Sequence, residues 1–189
     1  KSKTIEQPDL KITSKNNPKI KKFRSFKDRL PSKEKEFFCI EGTHLIDELL
    51  NAGLSPSEVI ATEEWISKNQ NIVKKFDLSL ISIVTKEALT SSLTTKSPDG
   101  VAALVKTSSI AKFDFHKNDD FVLVLDRVQD PGNLGNLFRT ALASGVDKIL
   151  IGGGANPFNQ KVLRASCGSI FHLPFKRITG EEEMVINNL

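Results

Sequence analysis

FVLVLDRVQDPGNLGNLFRTALASGV, running from Phe121 to Val146, decides how the chain folds. The apolar run Phe121 to Leu125 ends at Asp126 and reads as a central parallel strand, apolar on both faces. The turn DRVQDPGNLG, Asp126 to Gly135, then leads into a helix over Leu137 to Ser144, which Gly145 stops. Within the turn, Pro131 after Asp130 suits a helix start. The Asp130 carboxylate can cap free N–H groups, and Gly132 and Gly135 permit close approach of the backbone. A strand-to-helix junction at the carboxyl end of a parallel strand is where open α/β sheets bind their ligands.

The same alternation continues outward. Lys148 to Ile151 reads as the next strand, Asn159 to Ala165 as a helix, Phe171 to Pro174 as a short strand, and a further helix begins after Gly180. Upstream, the polar stretch between Lys106 and Asp120 reads as a linker. Before it lies a smaller α/β unit. A helix carries Ile20, Phe23 and Phe26 at helical spacing, followed by a strand FFCIE at Phe37 to Glu41 and a helix from His44 to Ala52. Then come a strand at Glu58 to Ala61, a helix capped by Thr62 that runs through Trp65 to Phe76, a strand at Ser79 to Val84, a helix at Lys86 to Leu93 and a strand at Gly100 to Val105. The fold class is α/β, with a small N-terminal α/β domain followed by a parallel-sheet domain. The expected boundaries are a disordered or extraneous opening over 1–11, a first domain over 12–107, a linker over 108–120 and a second domain over 121–189.

With 189 residues, 39% of them hydrophobic and 26% charged, the composition is that of a soluble globular chain. No apolar run approaches the roughly 20 residues that cross a bilayer. No charged-then-apolar leader opens the chain, and two distant cysteines, Cys39 and Cys167, suit a reducing compartment, so the expected location is cytoplasmic. The formal charge of +4 is unevenly spread: residues 1–40 carry twelve Lys/Arg against five Asp/Glu, a net of +7, and the rest is net −3. A basic front attracts polyanions through counterion release from phosphates; a solvated basic tail is the plainer alternative.

Asn133 offers both a donor and an acceptor, and Arg139 a permanently charged fork that fits phosphate. A tight turn with a solvated arginine would look the same. Gly152 to Gly154 lacks the spacing of a dinucleotide loop, and no Walker loop is present. His44, His116 and His172 are isolated and have no metal-ligand spacing. Cys167 has no histidine or acid at a nucleophile's spacing and reads as a buried structural thiol. Trp65 and Phe76 read as core. Phe23 and Phe26, set among lysines, fit either helix packing or base stacking.

The run Asp130, Pro131, Asn133, Gly135, Arg139, Thr140 and Ala141 resembles the first signature motif of the SpoU (TrmH) branch of the SPOUT methyltransferases, which methylate the ribose 2′-oxygen of RNA. Asn156 to Pro174 resembles the next segment of that family, with Lys161, Arg164, Ser166 and Gly168 in matching places. The front half, with Glu41-Gly42 and Pro98-Asp99-Gly100, resembles the family's ribosomal-protein-like substrate-binding domain. The resemblance implies a trefoil-knot methyltransferase fold, S-adenosylmethionine as cofactor, ribosomal or transfer RNA as substrate, and a homodimer. It implies catalytic roles for Arg139 and Asn133 and RNA contacts from Lys21, Lys22, Arg24, Lys161, Arg164 and Ser166. A guanidinium does not readily accept a proton, so Arg139 is expected to act electrostatically, with Asn133 orienting the ribose or the arginine. The family's later motifs, which form the knot and hold the cofactor, are not found before Leu189. The expectation is a truncated chain that keeps the RNA-facing half of the site, lacks most of the cofactor pocket and is inactive alone; a non-catalytic RNA-binding module is the alternative.

Overall fold

The computed structural model describes residues 11–27, 36–110 and 121–178. The opening over 1–10 and the helix expected after Gly180 lie outside them, as does most of the linker.

In the front domain β1 (Phe37–Glu41), β2 (Glu58–Ala61), β3 (Ile81–Ile83) and β4 (Val101–Lys106) form one sheet in the order β1-β4-β2-β3. Strand β4 pairs antiparallel with both β1 and β2, and β2 pairs parallel with β3. Side chains alternate across the sheet with period two, and the two faces receive different helices. Phe38, Ile40, Val59, Ala61, Val101, Ala103 and Val105 belong to one apolar cluster, together with residues of α2 (Thr43–Asn51), α3 (Glu63–Lys68) and α4 (Gln70–Val73). Cys39, Ile60, Ala102 and Leu104 belong to the other, against α1 (Pro18–Arg24) and α5 (Lys86–Ser92). Ile20 and Phe23 are fully buried there, which makes Phe23 core, and the partly buried Phe26 packs against the edge of the cluster. Trp65 and Phe76 are core as well.

Three sequence expectations need correction here. The helix from Thr62 to Phe76 is two helices, because Asn69 leaves helical geometry (φ −119°, ψ 40°) and turns the chain. The strand expected from Ser79 shortens to Ile81–Ile83, since Asp77 caps a 3-10 turn at Leu78–Leu80. Lys11 is placed, paired with Glu63 at 2.6 Å, and Ile12 bridges to Val84 beside β3. Beyond β4, a 3-10 turn at Thr107–Ser109 carries Ile110 into the larger apolar cluster.

The second domain holds three parallel strands, β5 (Val122–Asp126), β6 (Lys148–Gly152) and β7 (Phe175–Ile178), in the order β5-β6-β7. Helices α6 (Pro131–Ala143) and α7 (Gln160–Ser166) connect them. Strand β5 is an edge strand among the described residues rather than a central one, and Val124 is 47% exposed. An apolar run is silent about which of its faces has a partner. Phe171 to Pro174 is not a strand: Ser169–Phe171 forms a 3-10 turn, and the strand begins at Phe175.

The two domains share one apolar cluster. The ring centroids of Phe38 and Phe158 lie 4.7 Å apart, and Phe158 also meets Phe175 at 5.8 Å. Gln160 Nε2 donates to the carbonyl of Cys39 at 2.7 Å and thereby occupies an acceptor on the free side of edge strand β1.

Candidate active site

Helix α6 starts at Pro131, six residues before the expected Leu137, so Asn133 and Arg139 stand on one helix. Asp130 is its N-cap: one carboxylate oxygen accepts from Asn133 N–H at 2.7 Å. That hydrogen bond, followed by the charge of Lys161, holds the Asp130 carboxyl below its ordinary range. Lys161 Nζ lies 3.6 Å from the same side chain. The α6 N-terminus is therefore closed by its own cap.

Six residues along an α-helix amount to about 240° of rotation and a rise of about 9 Å. Asn133 and Arg139 accordingly lie on different flanks of α6 and do not meet, which corrects the expectation that Asn133 could orient the guanidinium. Both are exposed, and neither side chain bonds to another described residue. The flank carrying Arg139 opens onto a cleft of about 260 Å³. Leu142 and Ala143 line it from α6, Ser166 and Cys167 from the end of α7, and His172 and Glu48 complete it. Glu48 comes from the front domain, on α2, and no motif marked it. His172 Nε2 lies 3.0 Å from its carboxylate, and His44 Nε2 lies 3.2 Å from the carbonyl of Cys167. Two histidines with no motif thus serve the domain boundary. A larger cleft of about 450 Å³ lies in the front domain around Trp65, Lys68 and Asp99, away from Arg139.

Gly135 does not serve a ligand. A Cβ there would sit 2.5 Å from Ala165 Cβ and 2.7 Å from the Val162 carbonyl, so its small size sets the close crossing of α6 on α7. Cys167 is exposed, in left-handed conformation (φ 48°), and is not the buried thiol expected; Cys39 is the buried one. Burial, followed by the neighbouring charge of Glu41, pushes the Cys39 thiol well up.

The expected RNA contacts divide. Lys161 and Arg164 are exposed on α7. Ser166 is fully buried and donates to the Leu163 carbonyl at 2.8 Å, so its hydroxyl presents nothing to solvent. Arg24 is spent within the front domain, on the Ser91 carbonyl at 3.0 Å and the Lys15 carbonyl at 2.9 Å. Lys21 and Lys22 are both exposed, and Lys22 pairs with Glu58.

Among the described residues, the loops after β5 and β6 offer S-adenosylmethionine no cradle. A Cβ at Gly154 would meet the Val128 carbonyl at 2.4 Å, Ala155 N–H donates to that carbonyl at 2.8 Å, and Arg127 N–H donates to the Gly152 carbonyl. The glycine run is filled by the chain's own backbone.

Residues 120–188 match the SpoU rRNA Methylase family, and residues 17–103 match the MRM3-like substrate binding domain. The chain is 34% identical over 170 residues to an uncharacterized tRNA/rRNA methyltransferase of Synechocystis, covering 88% of this chain and 62% of that protein. It is 33% identical over 168 residues to the Bacillus subtilis 23S rRNA (guanosine(2553)-2′-O)-methyltransferase RlmP, covering 88% of this chain and 64% of that protein. The chain thus spans less than two thirds of the length of either relative. Among solved structures, the AdoMet-bound rRNA methyltransferase of Sinorhizobium meliloti superposes with a TM-score of 0.76 at 25% identity, covering 94% of this chain and 68% of that one. An RNA 2′-O ribose methyltransferase superposes with a TM-score of 0.74 at 25% identity, covering 95% and 69%.

Proposed function

We infer, from a chain that joins an MRM3-like substrate-binding domain to a segment of the SpoU rRNA methylase family, that it forms the RNA-holding part of a ribose 2′-O-methyltransferase. The observation that carries this reading is Arg139. It is a permanent cation without a partner among the described residues, on the helix that leaves the carboxyl end of β5, at the mouth of a cleft between the domains.

Methylating a ribose hydroxyl requires negative charge to develop on the 2′-oxygen as its proton leaves. Arg139 can hold an adjacent phosphate with part of its fork and stabilise that oxygen with the rest. Phosphate or water takes the proton, because the guanidinium cannot. Asn133, on the other flank of α6, orients a separate part of the substrate. S-adenosylmethionine, the molecule bound in the Sinorhizobium relative, would supply the methyl group, held by residues other than the described loops after β5 and β6. Lys161 and Arg164 hold backbone phosphate beside the site. The substrate in this reading is ribosomal or transfer RNA and the complete protein is a homodimer, as the family resemblance implies.

The test is single-turnover transfer of labelled methyl to RNA by the complete protein. Arg139→Lys keeps the charge and loses the planar fork, so the rate should fall; Arg139→Ala should fall further at unchanged folding. A near-normal rate in Arg139→Ala would remove the residue from the chemistry.

A further inference from the structure

Among the described residues of the front domain, Glu41 is a buried carboxylate with no cationic partner. It is 8% exposed, and all its donors come from a single turn. Thr94 N–H and Thr95 N–H donate to it at 2.8 and 3.0 Å, and the hydroxyls of Thr94 and Thr95 approach it at 2.9 and 2.7 Å. Burying a carboxylate is costly unless its lone pairs are used, and here they are used to fix the backbone of the turn that precedes Pro98. The far end of the turn is held from the same β1–α2 junction. Asp99 accepts from Thr43 N–H at 2.9 Å and from the Thr43 hydroxyl at 2.6 Å. Gly100, at φ 111°, passes so close to Trp65 that a Cβ would lie 2.8 Å from that residue's own Cβ.

A turn clamped at both ends presents Lys96 and Ser97 to solvent, and Lys96 has no bond to another described residue. Across the domain boundary, Arg164 Nη1 donates to the Thr94 hydroxyl at 3.1 Å. The donor sense runs one way: guanidinium to hydroxyl, hydroxyl to carboxylate. Arg164 makes this contact while the residue as a whole stays exposed. Lys161, three residues earlier on α7 and therefore on the same side of that helix, stands beside Asp130 at the start of α6.

We propose that the 94–99 turn, Arg164 and Lys161 form one preorganised phosphate-binding surface for RNA that crosses the domain boundary toward α6, with Glu41 as the positioning residue that holds it in shape. The proposal rests on the RNA reading above and adds a surface apart from α1, where Arg24 and Lys22 are engaged and Lys21 is exposed. Preorganisation matters because a surface already ordered loses little entropy on binding.

Fluorescence anisotropy of the 189-residue chain with fragmented bulk ribosomal RNA, over a salt series, tests it. Lys96→Ala and Arg164→Ala should each weaken binding by roughly fivefold and reduce the logarithmic salt slope by about one. Lys96→Arg should restore both. Glu41→Gln and the milder Thr94→Val remove no cation, yet should weaken binding at a melting temperature that shows the chain folded; the Thr94 variant carries this arm if the Glu41 variant fails to fold. RNA binding by the parent chain that Lys96→Ala and Arg164→Ala leave unchanged overturns this surface alone. Equal affinity for duplex DNA of matched length overturns the assignment to RNA. A parent chain that binds no RNA overturns the broader reading as well.

Discussion

Glu48 of α2 lies directly over Gly168, so closely that a Cβ on residue 168 would sit 2.4 Å from the Glu48 Cβ and 2.6 Å from its Cγ. This contact joins the domains at the cleft that holds Arg139, and the glycine is also left-handed, at φ 84°.

Gly168→Ala should therefore lose stability twice, from backbone strain and from the clash, by about 2–4 kcal/mol in all. Glu48→Gly in the same chain should recover the clash share, about 1 kcal/mol or more, and leave the strain. Urea unfolding of Gly168→Ala, Glu48→Gly and the double variant measures the recovery as a coupling between the two positions. Strict additivity of the two substitutions would mean that the domains do not meet at this point.

Gly135→Ala sets helix propensity against packing. Ala is favoured over Gly within a helix by about 1 kcal/mol, but the new methyl would lie 2.5 Å from Ala165 Cβ and 2.7 Å from backbone at Val162. Overpacking against backbone costs about 1–3 kcal/mol, so the net effect should be destabilising. Thermal unfolding decides the sign, and a gain in melting temperature would show that α6 and α7 can separate without cost.

Asp130 gives a pH signature. Its folded pKa is depressed, so its contribution is present above the unfolded value of about 3.9 and is lost as pH falls through the lower folded value. Asn also caps helices but does not titrate. In melting experiments from neutral to strongly acidic pH, Asp130→Asn should lose less stability than the parent chain below about pH 4. Parallel curves would mean that the carboxylate of Asp130 is not engaged in the folded state.

The two thiols should separate by reactivity. Cys167 is exposed, whereas Cys39 is buried and its thiol is pushed up, so little thiolate forms there. Ellman's reagent should titrate one thiol rapidly in the native chain and the second only on unfolding. Cys167→Ser should abolish the fast phase; its survival would place Cys39 at the surface.

Much of the fold could be read along the chain. FFCIE at Phe37–Glu41 and the strand after Gly100 alternate between two burial environments, and the structure places those strands within one residue of expectation. Period two and period 3.6 are local properties, set by the backbone geometry of each element. The motif that carries Asn133 and Arg139 was visible for the same reason, since residue types at short spacing are local. The start of α6 was misplaced because Asn133 and Gly132 favour turns, whereas the Asp130 cap and the burial of Leu134 and Phe138 hold them in a helix.

The amino-acid sequence by itself determined the α/β class and the types of the candidate site residues. Tertiary structure alone decided which of those residues are available. Ser166 and Arg24 look like Lys161 and Lys21 in a string of letters, yet the first is buried and the second is tied to two carbonyls. Likewise nothing in the spacing joins Glu48 to His172 or Thr94 to Arg164, pairs more than 69 positions apart along the chain. Such contacts depend on how separate elements pack, and packing depends on the shape of surfaces that form only once both domains have folded.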